Sequence, residues 1–112
     1  MTTYTALVKK CESQQASIAR ALEKAGFHVT TDDSSMSESR YVTVCTTAEY
    51  DAFNEYNPDT GTFGPAPREF KIRISNHENA SVNADMNYIV APLTKNDWRN
   101  AIAAAKNFFA QA

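Results

Sequence analysis

The sequence has little glycine, little cysteine and no long apolar run, and each shortage excludes a class of protein. Three glycines in 112 residues leave no glycine-rich loop that holds a phosphate group. The two cysteines form no CxxC pair and supply no metal or redox motif, so we expect two buried, reduced thiols. A transmembrane helix needs about 18 consecutive apolar residues, and the sequence contains no such segment.

The net charge and the first residues of the chain exclude further classes of protein. The net charge of −2 gives no general attraction to nucleic acid or to anionic membranes, so polyanion binding would require a local basic patch. Residues 1–4 lack the positive region and apolar run of a signal peptide, which favours a cytoplasmic protein. With 43% hydrophobic and 21% charged residues, the composition predicts a single domain over residues 1–112.

Hydrophobic spacing predicts a helix at each end of the chain. Apolar residues recur at helical spacing over residues 4–25, and Gly26 follows at the position where a left-handed residue ends a helix. Near the C-terminus, Thr94 and Asp97 have the spacing of an N-terminal cap. An apolar stripe then continues through Trp98, Ile102, Ala105 and Phe109.

Alternating apolar and polar residues predict strands between the two helices. The clearest patterns cover residues 40–45 and 70–75, and shorter ones cover residues 27–31 and 86–91. Short loops favour antiparallel neighbours, and the apolar faces of both helices need the same sheet. We therefore predict an α+β two-layer sandwich of order α-β-β-β-β-α, in which an antiparallel four-stranded sheet has the N- and C-terminal helices packed on one face.

The segment between the two clearest strands, about residues 46–69, is predicted to be an irregular insertion. Thr46 and Glu49 have the spacing of a capping box, which favours one or two helical turns. The prolines and glycines that follow are typical of turns, so we expect residues 55–68 to be exposed and irregular. Insertions of this length are often functional.

The insertion supplies the first candidate surface, because it combines aromatic and acidic side chains. Aromatic residues contribute much of the binding energy at protein interfaces. In the alternative interpretation, Tyr50 and Phe53 close one edge of the core. The candidate partner-binding residues are Tyr50, Phe53, Glu55, Tyr56, Asp59 and Phe63.

The uncovered face of the sheet is the second candidate surface. Successive strand side chains point to opposite faces, so Lys71, Arg73 and Ser75 are predicted to face solvent together with Tyr41 and Thr43. A ring flanked by cations can stack on bases and bind phosphates, although a solvated structural face commonly carries the same residue types. The candidate nucleic-acid-binding residues are Arg40, Tyr41, Lys71 and Arg73.

A catalytic interpretation depends on His77, Glu78 and Asp85, which place a base and two carboxylates after a predicted strand. The second histidine, His28, forms no HxH or HExxH pattern with His77, and Ser75 lacks the glycines of a nucleophile elbow. Because no catalytic constellation is complete, we predict neither an enzyme nor a bound metal or cofactor.

Residues 40–44 read RYVTV and residues 71–77 read KIRISNH. With these segments the chain resembles small proteins of phages and mobile elements that carry a K-I-R-I-S-(D/N)-H segment. Small phage-like chains of this kind include inhibitors of host defence, anti-CRISPR proteins among them, that act by stoichiometric binding. The resemblance implies a binding protein whose partner is a host protein or ribonucleoprotein complex. A nucleic-acid-binding accessory protein that uses the sheet face is the alternative.

Overall fold

The structure is a computed structural model that describes residues 3–33, 38–75, 86–92 and 98–111. Its helices are α1 (Tyr4–Lys24), α2 (Thr47–Phe53) and α3 (Trp98–Ala110). Its strands are β1 (Phe27–Asp33), β2 (Arg40–Thr46), β3 (Tyr56–Asn57), β4 (Thr62–Phe63), β5 (Phe70–Ile74) and β6 (Tyr88–Val90). The candidate catalytic residues His77, Glu78 and Asp85, and the predicted cap at Thr94 and Asp97, lie outside the described residues.

Helix α1 confirms the helix that the N-terminal apolar spacing predicts. The Thr3 hydroxyl accepts a hydrogen bond from the Ala6 amide at 3.1 Å, so it satisfies one of the amides that a helix N-terminus leaves free. After the helix, Gly26 has a φ of +98°, a conformation that a residue with a Cβ adopts only under strain. The Thr47 hydroxyl donates to the Gly26 carbonyl at 2.5 Å, which ties the end of α1 to the beginning of α2.

The four main strands lie in the order β1-β2-β5-β6. The β1–β2 and β2–β5 pairs are antiparallel, as predicted. The prediction of a fully antiparallel sheet is wrong at the last pair, because β6 runs parallel to β5. Parallel neighbours need a crossover connection of about a dozen residues, and 13 residues, from 75 to 87, separate β5 from β6. That segment is therefore long enough to return the chain to the other end of the sheet.

Helices α1 and α3 both pack on one face of the sheet, as the sequence predicts. In β2 and β5, buried residues alternate with less buried ones, so each strand has one face toward the helices. Two ring pairs with centroids 5.4 Å apart, Phe27–Phe109 and Phe70–Phe108, fix α3 against the sheet. The core consists of Cys11, Ile18, Leu22, Val42, Val44, Phe70, Ile72, Ile74, Val90, Ala101 and Ala105.

The segment predicted to be an irregular insertion contains α2 and a small hairpin. The Thr46 hydroxyl accepts from the Glu49 amide at 3.1 Å, which confirms the predicted cap of the short helix. Strands β3 and β4 pair antiparallel, with Tyr56 opposite Phe63. Gly61 turns the chain between them with a φ of +70°. The hairpin is exposed, but its backbone pairing gives it more regular structure than its turn residues predict.

Two buried groups position α1 on the sheet. The guanidinium of Arg40 lies 3.1 Å from Glu12 on α1 and 3.2 Å from Asp33 on β1. The amide of Gln15 donates to the backbone carbonyls of Asp32 and Tyr41, at 3.0 Å each. Polar contacts that join a helix to two strands fix the register of the layers, which apolar packing alone specifies less well.

The thiols of Cys11 and Cys45 are free and buried, as the sequence predicts. Burial, with a smaller contribution from the Glu38 carboxylate, raises the pKa of the Cys11 thiol to about 11. At neutral pH this thiol is uncharged and serves as a small apolar side chain in the core.

Candidate functional site

The sheet face opposite the two long helices is defined by the strand register. His28 pairs with Cys45, Thr30 with Thr43, and Asp32 with Tyr41 across β1 and β2. Because paired residues point to the same face, these side chains share the face with the β5 residues that pair with Thr43 and Tyr41. Those β5 residues are Lys71 and Arg73.

The basic residues predicted for nucleic-acid binding do not all lie on this open face. Lys71 and Arg73 do, next to Thr43 and Tyr41. Arg40 does not, because it is buried toward α1 and pairs with Glu12. The guanidinium of Arg73 donates a hydrogen bond to the Ser39 hydroxyl at 3.3 Å. The acidic residue Asp32 lies opposite Tyr41 in the strand register and so shares the same face. The open face is therefore less basic than the sequence predicts.

Ser75 also departs from its predicted position on the open face. It follows the last residue of β5, and only 1% of its surface is exposed. Its hydroxyl donates to the Glu38 carboxylate at 3.2 Å, and its amide donates to the Val90 carbonyl at 2.9 Å. Ser75 thus has a structural role at the end of the strand.

Helix α2 covers one end of the open face. The ring of Tyr50 stacks on His28, with centroids 3.5 Å apart and planes 15° from parallel. Thr46, the last residue of β2, caps the helix, so α2 begins directly where the strand ends. The sequence predicts a solvated face, whereas the structure divides it into a covered end and an uncovered end with Tyr41 and Arg73.

A cleft of about 280 Å³ lies between α2, the sheet and the segment that leads into β5. Cys45 lies in this cleft, and burial, followed by the nearby Glu69 and Glu49 carboxylates, raises the pKa of its thiol. A protonated, buried thiol is a poor nucleophile. Its lining consists of His28, Thr30, Thr43, Cys45, Tyr50, Phe53, Ala66, Pro67 and Glu69.

The aromatic residues predicted for partner binding are exposed on α2 and the hairpin. The exposed fractions are 37% for Tyr50, 39% for Phe53, 57% for Tyr56 and 61% for Phe63. The rings of Tyr56 and Phe63 contact each other across the hairpin, with centroids 5.3 Å apart. The predicted acids Glu55 and Asp59 are exposed beside them. We call this set of residues, together with the backbone that bears them, the aromatic surface.

Close backbone contact holds the hairpin against α2. The Gly64 amide donates to the Phe53 carbonyl at 3.2 Å. A Cβ at Gly64 would overlap the carbonyl oxygen of Ala52, so only glycine permits this approach. An open groove of about 490 Å³ lies along the contact. It is lined by Ala52, Glu55, Tyr56, Asn57, Pro58, Thr62, Phe63, Gly64 and Pro65.

Arg68 anchors the far end of the same segment. Its guanidinium lies 2.8 Å from the Glu49 carboxylate on α2, and it donates to the Gln111 carbonyl at 3.3 Å. It also lies over the ring of Phe109, 5.7 Å from the centroid. Arg68 thus connects this segment to α2 and to α3, and these contacts support the aromatic surface.

The cleft could not be predicted from the sequence, because its lining comes from four separate stretches of chain. His28 and Cys45 become neighbours only through the register of β1 and β2. Glu69 lies outside the partner-binding set, in the turn-rich residues before β5, and nothing in its local sequence marks it. The one sequence pattern that pointed to a lining residue was the alternation in β1. It places His28 on the open face once the order of the strands is known.

None of the helices in the described part of the chain is both long and apolar enough to cross a lipid bilayer. Within the same residue ranges, no three His, Cys, Asp or Glu side chains lie close enough together to bind a metal ion. Comparison of the chain with family models, curated proteins and solved structures gives no match.

Proposed function

We propose that the protein acts by stoichiometric binding to a host protein or ribonucleoprotein complex through its aromatic surface. The observation that carries the proposal is the exposure of four rings, Tyr50, Phe53, Tyr56 and Phe63, on two adjacent short elements. Burial of exposed aromatic side chains against a partner contributes favourably to the free energy of binding, and these side chains lose little conformational entropy when they bind. The surrounding carboxylates of Glu55 and Asp59 form a polar rim.

The support beneath the aromatic surface favours binding over a purely structural role. Gly64 fixes the hairpin on α2, and Arg68 fixes the following segment on α2 and α3. A surface that is ordered before it meets its partner avoids part of the entropic cost of association. Tyr56 and Phe63 make their ring contact with each other, outside the buried core cluster, so their apolar area remains available.

The proposed biological role is inhibition of a host defence complex, as in anti-CRISPR proteins. It is supported by the resemblance of residues 40–44 and 71–77 to small proteins of phages and mobile elements. A protein of 112 residues can inhibit a larger complex by covering one surface of it. The uncovered sheet face supports the second candidate role, nucleic-acid binding, through the adjacent Tyr41, Lys71 and Arg73.

The test is recovery of partners from host lysate with the Tyr56→Ala/Phe63→Ala double variant. Loss of two exposed rings should weaken partner binding by about 1,000-fold, since hot-spot aromatics contribute about 2 kcal/mol or more each. Helix content and melting temperature should stay unchanged, because neither ring belongs to the core cluster. Binding is measured by biolayer interferometry against the purified partner.

The matched control is Tyr4→Ala, which removes a ring exposed to the same 61% as Phe63, but from α1. It should retain full binding. Equal affinity of the double variant and the wild type would contradict the aromatic surface. Recovery of nucleic acid, with protein partners lost after nuclease treatment, would instead favour the sheet face.

A further inference from the structure

We propose that the cleft beneath α2 binds one cationic side chain, lysine or arginine, of the protein partner. This inference deepens the proposed function, since the cleft shares Tyr50 and Phe53 with the aromatic surface. It identifies the chemistry that the partner must present: a basic side chain that enters the cleft while apolar residues cover the hairpin.

The walls of the cleft suit a cation because they are aromatic. Tyr50, stacked on His28, forms one wall, and Phe53 belongs to the same lining. A ring face attracts an ammonium or guanidinium group through its quadrupole, and the attraction grows when the site is partly shielded from water. The stack also fixes the orientation of Tyr50, so the ring does not have to be ordered on binding.

Glu69 supplies a carboxylate to the lining of the cleft, which contains no lysine or arginine among the described residues. Residues 46–67 contain four carboxylates, those of Glu49, Asp51, Glu55 and Asp59, and no lysine or arginine. Arg68 follows, but it pairs with Glu49 at 2.8 Å. Among the residues that the structure describes, Glu69 has no such ion pair, and its carboxylate lies in the cleft lining. Glu69 therefore supplies the negative charge that a cationic guest would meet in the cleft.

The effect of Glu69 on Cys45 shows that its field reaches the floor of the cleft. The carboxylate contributes, after burial, to the raised pKa of the Cys45 thiol. The field that disfavours a thiolate there favours a positive charge. The remaining polar lining, Thr30 and Thr43, provides hydroxyl oxygens that can accept hydrogen bonds from an ammonium or guanidinium group.

The size of the cleft selects a single side chain. Pockets for drug-sized ligands begin at about 300 Å³, and this cleft has about 280 Å³ and is open to solvent along one side. A flexible lysine or arginine side chain can enter from a partner surface that rests on the hairpin. A larger ligand would project out of the cleft.

The test is an NMR titration of the full-length, 15N-labelled protein with three short peptides: N-acetyl-Gly-Arg-Gly-amide, its lysine analogue and its citrulline analogue. Citrulline has nearly the shape of arginine but no charge. We expect saturable shifts of the Thr30, Thr43 and Cys45 amides with the arginine or lysine peptide. The citrulline peptide should bind about two- to fivefold more weakly, which is the size of an exposed cation–π contact.

Two variants that each remove one negative charge distinguish peptide binding in the cleft from non-specific electrostatic attraction to the protein. Glu69→Gln changes the lining, whereas Glu23→Gln removes an exposed carboxylate on α1, outside both the cleft and the aromatic surface. Glu69→Gln should lower the affinity for the arginine or lysine peptide at least about threefold, and Glu23→Gln should leave this affinity unchanged. Equal affinity for citrulline, equal effects of the two variants, or shifts that avoid the cleft would each overturn the inference. Since none of these results involves Tyr56 or Phe63, failure of the inference is separate from failure of the aromatic surface.

Discussion

Arg40 is a buried cation whose acidic partners are exposed to water. Its side chain is 9% exposed, whereas those of Glu12 and Asp33 are 54% and 69% exposed. Removing Arg40 would therefore leave these two carboxylates solvated. The cost would come from the carbonyls of Glu38 and Ser39, which accept hydrogen bonds from Arg40 at 3.3 Å and 3.0 Å in a buried environment.

We therefore predict that Arg40→Met lowers the free energy of unfolding by about 2 kcal/mol, the cost of leaving buried acceptors unsatisfied. Methionine retains most of the apolar stem, so Arg40→Ala should cost about 1 kcal/mol more. Urea unfolding measures both values. Arg68→Met is the control, because its ion pair with Glu49 is partly exposed and such pairs contribute at most about 1 kcal/mol. A loss at Arg40 no larger than at Arg68 would contradict the structural role of Arg40.

At the scale of elements, the hairpin and α2 form one unit because of Gly64. The backbone approach that Gly64 allows orders two strands of only two residues each, which have no stability of their own. The cap at Thr46 and the turn at Gly61 could be read from the sequence, since their residue types match local geometry. The contact of Gly64 with Ala52 could not be predicted from the sequence, because it depends on how the hairpin packs against α2 and not on the local residue pattern.

We predict that Gly64→Ala separates the hairpin from α2 and weakens partner binding at least about tenfold. The new methyl group would overlap the Ala52 carbonyl, so the hydrogen bond from residue 64 to Phe53 must break. Faster amide exchange at residue 64 would report the separation, while the melting temperature should change little because no residue of the hairpin belongs to the core cluster.

The control for this substitution is Gly61→Asn. A Cβ at Gly61 meets open space, and asparagine tolerates the positive φ of 70° better than other residues with a side chain. Binding should be retained in Gly61→Asn. If Gly64→Ala also retained wild-type affinity, an ordered hairpin would not be required for partner binding.

At the scale of the whole molecule, the layers were predictable and the last strand pairing was not. The alternation in residues 40–45 and 70–75 and the stripe of α1 determine which faces are buried, and the core follows from them. The polar residues after β5 reveal the length of the connection but not where β6 docks, so antiparallel and parallel pairing were both compatible with the sequence. The exposure of Tyr56 and Phe63 was predictable from turn chemistry, whereas the cleft required the register, α2 and Glu69 together.

The folded state as a whole should lose stability at alkaline pH because of Cys11. Burial raises the pKa of this thiol from its ordinary value of 9.0 to about 11. The unfolded chain therefore releases the proton at lower pH than the folded chain, and stability present below pH 9 is lost as the pH rises toward 11. From this difference, the contribution of Cys11 should fall by about 1.4 kcal/mol between pH 8 and pH 10.

Urea unfolding of the wild type and Cys11→Ala at pH 8, 9 and 10 measures this contribution. Alanine cannot ionise, so the stability difference between the two proteins should shrink by that amount as the pH rises, while the titration of lysines and tyrosines affects both equally. Cys45→Ala should show a change in the same direction, because burial and the nearby Glu69 and Glu49 carboxylates raise the pKa of that thiol as well. A difference that stays constant with pH would mean that the Cys11 thiol ionises as readily in the folded chain as in water, and that α1 does not seal the core at this position.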